Sequence, residues 1–287
     1  MVTIDRKVGG LLRYKAVFFP TDLALTELTK RSKPTQVARL FWTATELRNA
    51  NRVLRHERSA TVCVDLSATL ETISKGIAKN TRYEVRQAEK LGERVRIERN
   101  DAERTGKFLA LYNDFVRSKP EVLAINHSAL SRYEGHADIF MVYLDEKPVC
   151  GHVLLRDTEI GRARLLYSAS RRFDDRETAR LSGTLNRFLH WYEIGAYREE
   201  GFNTYDLGGI KEDKTNGITQ FKMSFGGEIV REHTYLCAGI PWVGRTAQAF
   251  FDKLSKHRRR WSPAIASNSR DLDLEGGEAA ASQSHPT

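Results

Sequence analysis

Residues 185–210 read LNRFLHWYEIGAYREEGFNTYDLGGI, and this stretch decides the fold. From Thr178 onward, Leu181, Leu185, Phe188, Leu189, Tyr192 and Ala196 recur at helical spacing, so one side of a long helix is apolar. Gly201 stops that helix. NTYDLGGI, residues 203–210, then alternates as a strand and ends in a Gly-Gly turn. Outward on the C-terminal side, GITQFKMSF (217–225) reads as a short helix closed by Gly226-Gly227. EIVREHTYLCAG (228–239) reads as a last strand.

Outward on the N-terminal side lie three strands: DIFMVYLD (138–145), PVCGHVLLRD (148–157) and RARLLYSAS (162–170). Polar turns join them into an antiparallel meander. Before them, AERTGKFLALYNDFVRSK is a helix closed by Pro120, and RVRIER (94–99) is a short strand. ETISKGIAKNTRYEVRQAEKL (71–91) is read as one helix stopped by Gly92, and ATVCVDL (60–66) as a strand. Strands, helices, meander and crossovers in this order predict a mixed α/β (α+β) sheet with flanking helices. Within residues 1–59, LLRYKAVFFP suggests a strand, TDLALTELTKRS a helix, and VARLFWTATELRNANRVLRHERS (37–59) a further helix. The expected organisation is a small N-terminal extension over 1–59 and one domain over 60–242. A basic C-terminal helix over 243–261 and a disordered tail over 262–287, rich in Ser, Ala, Gly and Glu, complete it.

Composition narrows the function classes. With 40% hydrophobic and 29% charged residues in 287, the chain suits a soluble globular protein. No run approaches the roughly 18 apolar residues of a membrane span, and no secretory signal is read at the N-terminus. A cytoplasmic location is expected. Cys63, Cys150 and Cys237 are far apart and read as buried thiols. No metal-ligand spacing is present, so no metal is expected. His152, His190 and His233 belong to no nucleophilic triad and read as structural or surface residues. The net charge of +9 favours an anionic partner. Lys75, Lys79, Arg82, Arg86 and Lys90 form a single-sign stripe suited to phosphate. Arg258–Arg260 suit either contact with RNA or a membrane surface or a solvated helix end. Specific DNA readout has no supporting motif.

Four segments together resemble the FemAB-like branch of the GNAT acyltransferase superfamily. NTRYEVRQAEKLG (80–92) is similar to its R-x-x-x-R-x-A-x-K-x-G helix, and LLYSAS (165–170) to its central strand. Residues 185–210 are similar to its helix followed by Y-D-x-G-G, and GITQFKMSFGGEIV (217–230) to its G-x-x-x-F-K-x-x-F-G-G. Fuller members carry two GNAT-like halves. Only about 60 residues precede the matched region here, so the resemblance is to the shortened, single-GNAT version.

The resemblance implies an acyl or aminoacyl transfer to an amine, with the acceptor on a cell-envelope precursor such as that of peptidoglycan. The donor would be aminoacyl-tRNA or an acyl thioester such as acyl-CoA, with no permanently bound cofactor. It places Lys222 at the reacting centre, where a cation can stabilise an oxyanion, and Phe221 beside it. Asp206, before Gly208-Gly209, is expected at a strand end, to hold or deprotonate the amine or to cap the turn. Tyr167 lies on the strand where the GNAT sheet splays. Arg180 and Gly183 match the acyl-CoA pattern [R/Q]-x-x-G-x-[G/A] in a loop before the long helix, with Leu185 replacing the last small residue. Asn186 is a further substrate-side candidate, as are Arg82 and Arg86. A rival reading is a catalytically silent GNAT-fold module that binds RNA or anionic lipid through the basic stripe.

Overall fold

The computed structural model describes residues 1–8, 12–30, 35–47, 52–100, 103–117, 124–171, 176–211, 213 and 215–239. The expected helix at 243–261 and tail at 262–287 lie outside the described residues.

Among the described residues, ten strands form one sheet. They are β1 (Val2–Val8), β2 (Leu12–Phe18), β3 (Gln36–Thr43), β4 (Val53–Asp65), β5 (Val95–Arg99), β6 (Ala137–Leu144), β7 (Lys147–Asp157), β8 (Arg162–Ser170), β9 (Thr204–Ile210) and β10 (Glu228–Ala238). Their order across the sheet is β1-β2-β3-β10-β4-β9-β8-β7-β6-β5. Among these described strands only the β2–β3 and β8–β9 pairs are parallel. A parallel pair needs a crossover. Helix α1 (Asp22–Lys30) supplies the first, and the long helix over Arg176–Glu199 the second.

The remaining helices are α2 (Leu70–Gly76), α3 (Lys79–Glu89), α4 (Arg104–Arg117), α5 (His127–Ser131) and α7 (Gly217–Met223); the long crossover helix is α6. One apolar cluster gathers Leu185, Leu189, Ile194 and Tyr197 of α6 with Val62, Val64, Tyr205 and Leu207 of the sheet. A second gathers Phe108, Leu111 and Tyr112 of α4 with Met141, Val153 and Tyr167.

Two expectations fail. The described residues of 37–59 are not helical: they give most of β3 and the first half of β4. Nearly every side chain from Val37 to Thr43 is buried. A strand buried on both faces has no alternation, and its apolar run imitates a helix face. Strand β4 passes through position 60 without a break, and β1–β3 join the same sheet. The helix expected over 71–91 is two helices. Ile77, at φ −68° and ψ 137°, caps α2 in extended backbone, and α3 starts two residues later. Gly76, the poorest helix former in the stretch, closes α2.

Candidate active site

Strands β8 and β9 pair over three positions only, ending at Arg164 opposite Asp206. Beyond these residues the ladder between the two strands stops. Leu166 is bulged in the β7–β8 ladder at this point, and a bulge re-aims the strand. On the other side of the opening Gly208 has φ 80°. A methyl group there would lie 2.8 Å from the Leu165 carbonyl oxygen and 3.7 Å from Lys222 Nζ. The glycine therefore permits both the backbone turn and the close approach of the strands.

Helix α7 delivers Lys222 to this vertex. Asn216 caps its N-terminus by accepting from the Ile218 and Thr219 amides. Phe221 and Phe225 pack on each other and on His190. Lys222 Nζ donates to the Gly209 carbonyl at 2.7 Å. The residue keeps some exposed surface, yet loss of hydration depresses the ammonium most, with Arg164 adding to it and Asp206 opposing; its pKa falls to about 8.

Behind the vertex lies a buried charge network. Asp206 Oδ1 accepts from Thr61 Oγ1 and from the Gly208 amide, the latter at 2.8 Å. Its Oδ2 accepts from Arg162 Nε at 3.0 Å and Arg164 Nη1 at 2.8 Å. Glu232 on β10 accepts from the same two arginines, at 2.5 to 2.8 Å. The guanidiniums lie over Phe19 and Trp42, at 4.5 and 3.9 Å from the ring centres. Both aromatics have positive φ, 52° and 58°, which is strained for bulky residues. Burial alone would raise Asp206, but Arg164 and Arg162 outweigh it and hold the carboxyl below its usual range. The network holds two carboxylates against Arg162, Arg164 and Lys222, so one positive charge stays unmatched at the opening.

A second buried network runs along α6. His152 Nδ1 meets the Glu193 carboxylate at 2.9 Å, and its Nε2 meets Asn186 Oδ1 at 2.9 Å. Tyr205 OH donates to Glu193 Oε2 at 2.5 Å and meets His190 Nδ1 at 2.7 Å. A phenol has one hydrogen and a carboxylate only accepts, so His190 donates from Nδ1. Burial first, then His152, Lys222 and Arg187, lower its pKa well below the ordinary value, and His190 is neutral. His152, Glu193 and His190 also lie close enough to share a cation, but each already has a hydrogen-bond partner.

The sequence-based candidates separate. Lys222, Phe221 and Asp206 come together. Asp206, however, is not at the strand end: it is the third residue of β9 and fully buried, with its oxygens taken by Thr61, Gly208, Arg162 and Arg164. Asn186 sits in the histidine network. Tyr167 is buried and packs edge-on against Tyr112, 5.6 Å between ring centres. Arg180 and Gly183 are not in a loop; they lie inside α6, with Arg180 exposed. The amides of an interior turn are spent within the helix, so this segment offers no pyrophosphate cradle. Arg82 Nη1 donates to the carbonyls of Ser74, Lys75 and Ile77, closing the end of α2. Lys75 pairs with Glu71 at 2.7 Å, so the stripe is neither continuous nor free of opposite charge. Arg86 stays exposed beside a cleft of about 160 Å³ lined with Val85, Glu89 and Trp191. Sequence reasoning missed Arg162, Arg164 and Glu232. The alternation R-x-R in a strand otherwise destined for the core was the available signal, since two buried arginines demand carboxylates.

Among the described residues no helix is long and apolar enough to cross a membrane. No curated protein matches the chain. Among solved structures, the C-terminal domain of a putative lysylphosphatidylglycerol synthetase from Agrobacterium fabrum has a TM-score of 0.57 at 13% identity, covering 88% of this chain and 84% of that one. FemX has a TM-score of 0.57 at 14% identity, with 81% and 83% covered. L-PGS from Bacillus licheniformis has 0.54 at 12%, with 86% and 84% covered. These likenesses are of fold. The family model described as an acetyltransferase (GNAT) domain matches residues 75–223, just over half of the chain, from α2 through the splayed strands to Lys222. The protein belongs to the GNAT acyltransferase family.

Proposed function

We propose that this protein is a FemAB-like transferase that moves an acyl or aminoacyl group from an activated ester or thioester to an amine. The carrying observation is the unmatched Lys222 ammonium at the vertex between β8 and β9. The amine nitrogen attacks the carbonyl carbon, and the carbonyl electron pair moves to oxygen. Lys222 spends one of its three N–H groups on Gly209 and has two left for that oxyanion. Collapse expels the donor's hydroxyl or thiol, which leaves with the proton lost by the amine. Asp206 acts through charge: with Glu232 it balances the arginines and sets the field at Lys222.

GNAT domains generally use acyl-CoA. Likeness to FemX and to a lysylphosphatidylglycerol synthetase domain supports an aminoacyl donor, and aminoacyl-tRNA is the donor we favour. Arg86, with Lys79 and Lys90 exposed near it, is assigned to the donor's phosphates. A cytoplasmic amine on a cell-envelope precursor, as in peptidoglycan, is the proposed acceptor. The test is transfer of label from aminoacyl-tRNA and from acyl-CoA to amine acceptors, by wild type and Lys222→Met. Equal amide formation by both proteins would refute the reading.

A further inference from the structure

A separate constellation lies on the other face of β10 from the arginine network. Glu232, which holds Arg162 and Arg164, points to one face of the strand, and its neighbour His233 points to the opposite one together with Tyr235. Tyr235 lies across the ladder from His56 of β4, and His233 from Arg58, so the two histidines are diagonal neighbours. The His56 ring stacks on Tyr235, 4.7 Å between centres. His56 Nε2 and His233 Nδ1 are 2.9 Å apart. The loop after β3 brings a third group. Tyr235 OH donates to the Thr45 carbonyl at 3.3 Å and accepts from the Leu47 amide at 2.8 Å. These bonds hold the residue between them, Glu46, beside the histidines. One ligand atom from each of Glu46, His56 and His233 lies within 4.8 Å of the other two.

Two imidazoles and a carboxylate are a ligand set for zinc and similar transition metals, not for magnesium or calcium. Bonds of about 2.0–2.1 Å to a tetrahedral ion put its ligand atoms about 3.3 Å apart, so the two nitrogens must separate by roughly 0.4 Å. An ion would displace little. The histidines hydrogen-bond to each other, and an ion that replaces the shared hydrogen strands no third group. In the buried set of His152, His190 and Glu193, by contrast, Asn186 and Tyr205 would lose partners. Glu46 Oε1 accepts from Arg58 at 2.6 Å, but the two side chains are 41% and 73% exposed, and such a surface pair contributes little. The carboxylate also keeps lone pairs beyond those that Arg58 uses. His56 and His233 are 177 residues apart in the chain, so no spacing motif in the sequence announces the set.

We propose that Glu46, His56 and His233 bind one divalent transition-metal cation of the zinc class, fastening the loop after β3 to β4 and β10. Water completes the coordination on the exposed side. The proposal is independent of the chemistry at Lys222. Zinc chloride is the probe, titrated calorimetrically into chelator-stripped protein without a histidine tag: wild type, His56→Gln, His233→Gln, Glu46→Gln and Arg58→Met. The wild type should bind one ion per chain. Each histidine variant should bind about 100-fold more weakly or worse, and Glu46→Gln at least about tenfold, since losing even an outer partner of a metal ligand costs about 10–100-fold. Arg58→Met should bind a few-fold tighter, because it removes a competing cation and frees Glu46. Zinc should raise the melting temperature of the wild type but not of the histidine variants. Melting in chelator identifies a variant that fails to fold, and the others then decide. No binding by the wild type, wild-type affinity in a folded ligand variant, weaker binding by Arg58→Met, or magnesium binding as tightly as zinc would overturn the proposal.

Discussion

Lys222 Nζ lies 2.7 Å from the Gly209 carbonyl oxygen, and this contact fastens a seven-residue helix to the strand that borders the opening. A lysine so held cannot swing freely. Its charge stands where β8 and β9 separate, with Arg164 behind it. Preorganised charge is effective in catalysis because it need not reorient during the reaction.

Lys222→Met keeps most of the aliphatic stem and removes the charge. With donor and acceptor in hand, kcat should fall about 100-fold or more, the loss expected for one oxyanion donor. KM should move much less. A rise in KM with kcat intact would mean that Lys222 grips the donor equally in ground and transition states. Full turnover at wild-type KM would favour a binding module without catalysis.

The depressed pKa gives the pH dependence a sign. Lys222 must be protonated to stabilise an oxyanion, so kcat should decline as pH rises through about 8. Stability runs the other way. The folded pKa lies below the unfolded value near 10.5, so the unfolded chain binds more protons between them. Stability of the wild type relative to Lys222→Met should therefore rise from pH 8 to pH 10, as read by urea denaturation. A falling difference would contradict the buried-ammonium geometry.

The order of strands from residue 60 to 239 was legible because periodicity switches cleanly between β4, α6 and β10; the helices were read less well, since one expected helix is α2 and α3 and the five-residue α5 was not expected. Residues 37–59 were not, since a strand buried on both faces carries no alternation. At the site, the F-K pair was readable from its spacing to Gly226-Gly227. The role of Asp206 was legible in part: it accepts from the Gly208 amide, as the turn-capping alternative expected, but its other partners Arg162, Arg164 and Thr61 come from two other strands. Arg82 shows the same limit. Its charge suggests phosphate, but only the break at Ile77 exposes the carbonyls it closes.

Asp206→Asn should separate a charge-setting role from proton transfer. Breaking a buried ion pair costs about 3–5 kcal/mol, so the unfolding midpoint in urea should drop clearly. The carboxylate also raises the Lys222 pKa, so the alkaline decline of kcat should move below pH 8. Activity abolished at every pH in a folded variant would instead make Asp206 the base.

Two adjacent glycines give the most local test of the opening itself. At Gly208, φ is 80° and an added methyl would sit 2.8 Å from the Leu165 carbonyl oxygen. At Gly209 the nearest atom to such a methyl is the Ala60 carbonyl oxygen, 3.9 Å away, an ordinary contact. Gly208→Ala should therefore cost about 1–3 kcal/mol through backbone strain. It should also lower kcat, because relief requires β8 and β9 to shift around Lys222. Gly209→Ala should be near neutral in stability and leave the Lys222 bond to its carbonyl in place. Thermal melts and kcat for the pair decide it. Equal effects at both positions would mean that the geometry of the vertex does not govern the reaction, while loss confined to Gly208→Ala would locate the chemistry where the strands part.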